Sequence, residues 1–319
     1  MIAAAETPLR ALQKIADVKT AEIPDDEAWF QQSRDAYVIL RPEIEEEQYS
    51  AFLAQAPQLQ MIQTPSIGYD GMDIAACTIH GVLVCNVLTY AESAAQHTWA
   101  LILAVAKHIA KADRLMRSGG WPEWPRGFFG TELYGQTLGV IGLGDIGGRV
   151  AMKGALAFNM RVLAYDPHIT PSRAQRHYAQ LVSLETLLCE ADVISIHCPL
   201  TDQTRHLLGA RELQFLKPTA ILVNTARGGI IDESALHHAL SHKQLFGAGL
   251  DVFEEEPLSA TSPLRKLDNV VLTPHFGYAT TQAVSQTWVE SVQNILQFLT
   301  EQTPHWIVNP DAQLVAQRR

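Results

Sequence analysis

The sequence lacks the features that mark secreted proteins. Its four cysteines, Cys77, Cys85, Cys189 and Cys198, form no CxxC pair, and the first 20 residues contain no hydrophobic leader of the secretory type. Disulfides persist in oxidising compartments and are rare in the cytosol. We therefore expect a cytoplasmic protein in which all four cysteines are thiols.

Long hydrophobic runs and an excess of positive charge are also missing. The longest apolar run, residues 99–106, is far shorter than the roughly 20 residues that span a bilayer. With 24 Lys and Arg against 34 Asp and Glu, the chain carries a net charge of −10, which would repel a phosphate backbone or an anionic membrane. The expected partner is a small molecule, with no nucleic acid and no membrane. No metal is expected either, because the chain has no CxxC pair and its HxxxH, His238 to His242, ends a predicted helix.

What the sequence does contain is an alternation of strand and helix patterns. At 319 residues it is about twice a typical domain, so two domains are expected. After residue 137, β-branched runs alternate with helical patterns, which predicts an α/β fold with a doubly wound parallel sheet. The first 84 residues predict a smaller α/β domain. Residues 91–117 predict one long buried helix, and residues 279–301 predict a second, after which residues 306–308 are expected to rejoin the first domain.

A glycine-rich turn is the most informative local motif. A strand over residues 138–141 leads into Gly142-Leu-Gly144-Asp-Ile-Gly147, and a helical pattern follows. Gly142 permits the tight turn, Gly144 lets the backbone approach a pyrophosphate, and Gly147 allows close packing of helix on strand. A glycine turn without a ligand is the alternative for this pattern taken alone. The strand before it and the helix after it favour a dinucleotide site.

An acidic residue stands where such a site needs one. Asp166 ends the next predicted strand, about 20 residues beyond Gly147. A carboxylate there accepts hydrogen bonds from both hydroxyls of an adenosine ribose and repels a 2′-phosphate. The motif therefore predicts NAD rather than NADP as the cofactor.

Three further strand ends carry an arginine, a carboxylate and a histidine. Arg227 lies in NTARGG, Glu256 in DVFEEEP and His275 in TPHFG. Reduction of a ketone beside a carboxylate needs a fork for the carboxylate, a proton donor and an anion beside that donor. Taken singly, each residue could be a solvated surface group. Their joint position at the edge of one sheet favours a catalytic site.

Together with CPLT at 198–201 and SIGYD at 66–70, these motifs resemble the D-isomer-specific 2-hydroxyacid dehydrogenase family over nearly the whole chain. The resemblance implies two Rossmann-like domains, with an NAD-binding domain (96–295) inserted in a substrate-binding domain (1–95 and 296–319). It also implies a homodimer, because the segment WPEW resembles the loop with which glyoxylate and hydroxypyruvate reductases reach their partner. Trp121 and Trp124 are therefore expected at a dimer interface or at the rim of the active site. Since the sequence ends at Arg319, a regulatory domain like that of larger phosphoglycerate dehydrogenases is not expected.

The resemblance also implies residue roles. Arg227 would bind the substrate carboxylate and carbonyl oxygen, Glu256 would orient and charge His275, and His275 would transfer the proton. Asp251 would hold the nicotinamide carboxamide. The backbone of Ser66, Ile67 and Gly68 would cradle the substrate carboxylate. Besides the three glycines, Asp166 and Asp251, the residues expected to contact the cofactor are Thr98, Asp145, Ile146, Cys198, Pro199, Thr204, Thr225, Ala226, Arg227 and His275.

Some residues near these motifs are interpreted as less important. Glu254 and Glu255 are expected to be bystanders. His197 and Cys198 are expected to pack near the adenine, and the remaining histidines are expected to be structural or solvated. Gln96 stands where many relatives have a glutamate.

The predicted function is the NAD-dependent interconversion of a 2-oxo acid and a D-2-hydroxy acid by hydride transfer. Two alternatives remain. A phosphite dehydrogenase would resemble this sequence, but those enzymes place a lysine where this chain has Ile67. A non-catalytic NAD-binding sensor or corepressor could use the same fold. The residues do not indicate which 2-oxo acid is the substrate.

Overall fold

The chain divides into two compact units, one of which is inserted in the other. The structure is a computed structural model that describes residues 6–19, 31, 33–40, 44–69 and 71–316. Unit 1 is Met1–Tyr90 together with Thr280–Arg319, and unit 2 is Ala91–Ala279. The predicted boundaries, after residues 95 and 295, differ from this division.

Helices and strands alternate along the chain. The strands are β1 Val38–Leu40, β2 Met61–Gln63, β3 Leu83–Cys85, β4 Thr137–Ile141, β5 Arg161–Tyr165, β6 Ala179–Leu181, β7 Val193–Ile196, β8 Ile221–Asn224, β9 Gly247–Leu250 and β10 Val270–Leu272. The α-helices are α1 Glu6–Leu12, α2 Tyr49–Gln55, α3 Ile74–Ile79, α4 Ala91–Ala106, α5 Ile109–Arg117, α6 Asp145–Phe158, α7 Pro171–Gln175, α8 Leu184–Glu190, α9 Ala210–Leu213, α10 Glu233–Ser241, α11 Thr281–Leu299 and α12 Ala312–Ala316.

In unit 1, the described strands form a parallel sheet in the order β1-β2-β3. Helix α11 belongs to this unit because its Val292 and Ile295 pack in one apolar cluster with Leu12 and Met61. The predicted boundary at 295 is wrong for this reason, since it cuts through α11. As predicted, the tail rejoins this unit, where Ile307 pairs with the strand residue Cys85.

Unit 2 contains a seven-stranded parallel sheet with the order β10-β9-β8-β7-β4-β5-β6. Alternate residues of its strands face two separate cores: Val193 and Val223 pack in one, Ile194 and Leu222 in the other. Burial on both faces accounts for the continuous β-branched runs in the sequence. The predicted α/β class and the doubly wound sheet are confirmed.

The single long helix predicted for residues 91–117 is wrong, because two helices occupy this segment. His108 has a left-handed backbone (φ 53°) that separates α4 from α5. The main-chain oxygen of Ala106 accepts a hydrogen bond from the backbone N–H of Thr131 at 2.9 Å, so a distant loop lies where the helix would continue. No glycine or proline in this segment marks the break in the sequence.

Among the described residues, no helix is both long and apolar enough to cross a membrane.

Candidate active site

The glycine turn of unit 2 joins β4 to α6. Gly142 has a φ of +87°, and a Cβ atom there would lie 2.6 Å from the backbone nitrogen of Cys198. A Cβ at Gly147 would lie 2.1 Å from the main-chain oxygen of Gly142. Gly144, which precedes the first residue of α6, has open space where its Cβ would be. Two glycines thus pack the turn tightly, and the third leaves room for a ligand at the N-terminus of the helix, as a pyrophosphate requires.

Asp166 directly follows β5 and lies beside this turn. Its Oδ2 accepts a hydrogen bond from the backbone N–H of Leu143 at 2.9 Å, and its Oδ1 accepts one from the N–H of His168 at 2.9 Å. A carboxylate has about four acceptor positions, so both oxygens can still accept from a ribose. The partly exposed carboxylate therefore fits the adenosine end of a dinucleotide. Asp145 and Ile146 form the first turn of α6.

The segment after β7 carries His197, Cys198 and Pro199. Removal from water lowers the pKa of His197 to about 3 and raises the pKa of the Cys198 thiol to about 11. Both side chains are therefore neutral near pH 7. The Thr204 hydroxyl donates to the main-chain oxygen of Pro199 at 2.6 Å and so holds this loop.

The loop after β8 carries Arg227. Asn224 accepts from the N–H of Ala226 at 3.0 Å and donates to the main-chain oxygen of Arg227 at 2.8 Å. The Arg227 guanidinium donates to the main-chain oxygen of Ala226 at 2.7 Å. The hydroxyl of Thr225 lies 2.8 Å from that of the fully buried Thr98 on α4. Thr98 therefore contacts Thr225, which lies two residues before Arg227. The expected contact of Thr98 with the cofactor stays a prediction.

Gly228 packs the Arg227 loop against the loop that carries Glu256. A Cβ at Gly228 would lie 1.8 Å from the backbone carbon of Phe253. Glu256 accepts the N–H of Phe253 on Oε1 at 3.0 Å, and its Oε2 lies 2.7 Å from His275 Nδ1. The structure therefore brings Glu256 and His275 into a hydrogen-bonded pair. Because Nδ1 is engaged, Nε2 is the ring nitrogen left for chemistry.

Asp251, at the end of β9, is almost completely buried, with 1% of its surface exposed. Its carboxylate accepts hydrogen bonds from the Thr273 hydroxyl at 2.6 Å and from the backbone N–H groups of Phe276 and Gly277 at 2.9 and 2.8 Å. These contacts organise the turn that contains His275. Binding of the nicotinamide carboxamide by Asp251 stays a prediction.

The expected substrate loop lies in unit 1. The N–H of Ile67 donates to the Tyr90 hydroxyl, and its main-chain oxygen accepts from the Asn86 side chain at 2.9 Å. The Ser66 hydroxyl donates to the main-chain oxygen of Gly68 at 2.6 Å. For the N–H groups of Gly68 and Tyr69, no acceptor lies among the residues described. Asp70, the last residue of SIGYD, lies outside those residues.

Several structural contacts were not predicted from the sequence. Glu254 accepts the N–H of Glu233 at 3.0 Å and lies 3.1 Å from His206, and its expected role as a bystander in the chemistry stays a prediction. Gln96 donates to Glu92 at 2.9 Å, and Glu92 pairs with Lys153 at 2.8 Å, so this face of α4 still carries a carboxylate. The sequence signals for these contacts are weak, because each partner lies far away in the chain or in an ordinary helix turn.

Within the described part of the chain, no group of three or more His, Cys, Asp or Glu side chains could hold a metal ion.

Comparisons with known proteins identify similar sequences and folds. Residues 99–277 match the sequence model of the family described as "D-isomer specific 2-hydroxyacid dehydrogenase, NAD binding domain". A glyoxylate reductase of Aeropyrum pernix is 40% identical, over 97% of this chain and 94% of that protein.

Two solved structures show the same likeness. A D-lactate dehydrogenase from Aquifex aeolicus, complexed with NAD and lactic acid, is 31% identical with a TM-score of 0.79, and covers 95% of this chain and 96% of its own. A glyoxylate reductase from Paecilomyes thermophila is 26% identical with a TM-score of 0.87, over 97% and 96% of the two chains.

Proposed function

Because the chain belongs to the D-isomer-specific 2-hydroxyacid dehydrogenase family, we propose that it reduces a small 2-oxo acid to the D-2-hydroxy acid, with glyoxylate as the first candidate. The chain is an NAD-dependent oxidoreductase. The observation that supports the proposal is the hydrogen bond between Glu256 and His275 at the sheet edge that also carries Arg227 and the glycine turn. In a parallel sheet, the carboxyl ends of all strands meet at one edge, where ligands bind.

The proton transfer is assigned to His275. A bound nicotinamide supplies or accepts the hydride. Glu256 holds Nδ1 at 2.7 Å, so Nε2 would donate a proton to the carbonyl oxygen in reduction and accept it from the hydroxyl in oxidation. A carboxylate at this position stabilises the imidazolium when it forms.

Binding of the substrate carboxylate is assigned to Arg227. A guanidinium matches a carboxylate with two parallel hydrogen bonds. The contact of Arg227 with the main-chain oxygen of Ala226, at 2.7 Å, orients this group. Within unit 1, the N–H groups of Gly68 and Tyr69 are the donors of the 66–69 loop that a carboxylate could use, since the N–H of Ile67 is bound to Tyr90.

A substrate screen tests the proposed function. Purified protein is assayed with NADH and glyoxylate, hydroxypyruvate or pyruvate, and separately with NAD and phosphite, by absorbance of the reduced cofactor. We expect turnover of at least one 2-oxo acid, which His275→Ala abolishes. NADH binding without any turnover would identify a sensor, and reduction of NAD by phosphite alone would identify the other alternative.

Arg227→Lys tests the carboxylate clamp in the same assay. Lysine keeps the charge but loses the fork, so kcat/KM should fall about a hundredfold, which corresponds to roughly 3 kcal/mol. NADH binding, followed by fluorescence, should change little. Near-normal turnover in this variant would contradict the role of Arg227.

We also propose that the segment after α5 contributes to a dimer interface. Trp121 and Tyr134 are 79% and 72% exposed, and Trp124 and Phe129 are also exposed. Exposed aromatic groups of this density favour a protein contact. Light scattering should give the mass of a dimer, and Trp121→Ser with Trp124→Ser should shift it toward the monomer. A monomeric wild type would refute this part of the proposal.

A further inference from the structure

The turn that carries His275 is held by hydrogen bonds to one residue, Asp251. Three successive backbone N–H groups donate to Asp251: that of His275 to the main-chain oxygen at 2.7 Å, that of Phe276 to Oδ1 at 2.9 Å and that of Gly277 to Oδ2 at 2.8 Å. His275 itself has a left-handed backbone, with φ of 58°. A non-glycine residue keeps such a conformation only where its surroundings hold it. The direction of the His275 side chain therefore depends on Asp251.

A second histidine, His97 on α4, contacts both Asp251 and Thr273. His97 Nε2 lies 3.0 Å from the Thr273 hydroxyl and 3.2 Å from Asp251 Oδ1, and that hydroxyl lies 2.6 Å from the same Oδ1. A carboxylate only accepts, so Thr273 donates to Asp251 and its oxygen is free to accept from His97. The result is a chain of donors from His97 through Thr273 to Asp251.

The carboxylate of Asp251 depends on these donors. Burial raises the pKa of Asp251, and the hydrogen bonds from His97, Thr273 and the N–H of Phe276 outweigh this effect, so the pKa is lowered overall. Within the described part of the chain, His97 is the one basic side chain at ion-pairing distance from this carboxylate. Loss of a partner from a buried carboxylate is costly, because the remaining groups must satisfy it alone.

Helix α4 also holds the far end of the turn. The Ser93 hydroxyl donates to the main-chain oxygen of Gly277 at 3.0 Å. Ser93 and His97 are four residues apart and so lie on one face of the helix. Through these two side chains, α4 contacts both ends of the segment 273–277.

We propose that His97 is a positioning residue for His275, which it orients through Thr273 and Asp251. This inference rests on the proposed role of His275 as the proton-transfer group. His97 would act without contacting the substrate, so its loss should slow the reaction more than it weakens cofactor binding.

Two substitutions separate the hydrogen bond from simple packing. His97→Leu removes the donor, and His97→Gln keeps one. We expect kcat to fall about tenfold in His97→Leu and to stay within about threefold of wild type in His97→Gln. The dissociation constant of NADH, measured by fluorescence, should change by less than about twofold in both. His242→Leu and His242→Gln, at the exposed end of α10, are the matched controls and should leave kcat unchanged.

Amide hydrogen exchange provides a readout that needs neither cofactor nor turnover. In His97→Leu, the N–H groups of residues 275–277 should exchange about tenfold faster, whereas those of β9 should exchange at the wild-type rate. Thr273→Val breaks the same chain with His97 in place and should have the same effects. If both residues act along one path, the double variant should be no slower in turnover than the slower single variant.

Three results would overturn the inference: unchanged kcat and exchange in His97→Leu, equal impairment of the Leu and Gln variants, or NADH binding that weakens in step with kcat. If His97→Leu does not fold, Thr273→Val gives the same comparison. A wild type that reduces no 2-oxo acid would refute the proposed function instead, and the exchange data would still report whether His97 holds the turn.

Discussion

At the scale of single residues, the three glycines of the turn have different structural roles. Gly142 has a left-handed backbone and close neighbours, whereas Gly144 has no atom within 4 Å of the position of a Cβ. Glycine is required at the first position by backbone conformation and at the second only if a ligand comes close.

Alanine substitution should therefore separate folding from cofactor binding. Gly144→Ala should lower the free energy of unfolding by at most about 1 kcal/mol, the range of N-cap effects, yet weaken NADH binding at least tenfold. Gly142→Ala should cost at least about 2 kcal/mol of stability, because alanine is strained at φ +87° and would collide with Cys198. Urea unfolding and NADH titration measure both effects. Unchanged NADH binding in Gly144→Ala would place the pyrophosphate elsewhere.

Asp166 offers a second test at this scale. Asp166→Asn keeps the size and one acceptor oxygen but removes the charge that would repel a 2′-phosphate. We expect the wild type to prefer NADH over NADPH in kcat/KM, and the variant to lose at least about tenfold of this preference. Asp166→Ala is less informative, since it also removes the bonds to the N–H groups of Leu143 and His168. A ratio that does not change in Asp166→Asn would refute the ribose assignment.

At the scale of secondary-structure elements, the loop of Glu256 is tied to the start of α10. Glu233 and Glu254 exchange two hydrogen bonds: each carboxylate accepts the backbone N–H of the other, at 3.0 and 2.6 Å. Burial and then the repulsion of the nearby carboxylates raise the pKa of Glu233. The link therefore joins helix and loop in spite of like charges.

Removal of this link should loosen the Glu256 loop. Glu254→Ala should lower the free energy of unfolding by about 1 kcal/mol and reduce kcat several-fold, since Glu256 would be held less firmly. Glu255→Ala is the matched control: Glu255 is the exposed neighbour, and its removal should have no effect on either quantity. Thermal unfolding and steady-state kinetics measure the two quantities for both variants. Equal behaviour of both would show that the link does not support the site.

At the scale of the whole molecule, a partly buried histidine next to the central strand links stability to pH. His197 follows β7, its Nε2 lies 2.7 Å from the Ser195 hydroxyl, and its pKa is lowered to about 3. In the unfolded chain, a histidine titrates near pH 6.5. Below that pH the unfolded chain binds a proton that the folded chain does not, so stability falls as the pH falls toward 3.

His197→Gln should remove this part of the acid sensitivity. The histidine contributes about 1.4 kcal/mol for each pH unit below 6.5, so between pH 7 and pH 5 the variant should lose about 2 kcal/mol less than the wild type. Urea unfolding at several pH values measures the difference. If the plots of unfolding free energy against pH run parallel for the two proteins, His197 binds a proton as readily in the folded chain as in the unfolded chain.

The sequence alone determined the class of fold, the family and the cofactor. The glycine turn and the acid after β5 are local signals, because each depends on residues close together in the chain. The order of the motifs extends over most of the chain, but it too is read directly from the sequence. Helix α10 begins at a local signal of the same kind, because Asp232 caps it by accepting the N–H of Ala235 at 2.9 Å. Short-range hydrogen bonds and periodic burial can be read from neighbours.

Only the tertiary structure decided the features that join distant residues. Helix α4 ends where Thr131 donates a hydrogen bond to its last residue. Helix α11 belongs to unit 1 because it packs with Leu12 and Met61. The orientation of His275 depends on His97, which contacts Thr273. The N–H of Ile67 is likewise bound by a residue far along the chain, Tyr90. None of these partners carries a local signal, because a side chain acquires its partner only when separate elements pack together.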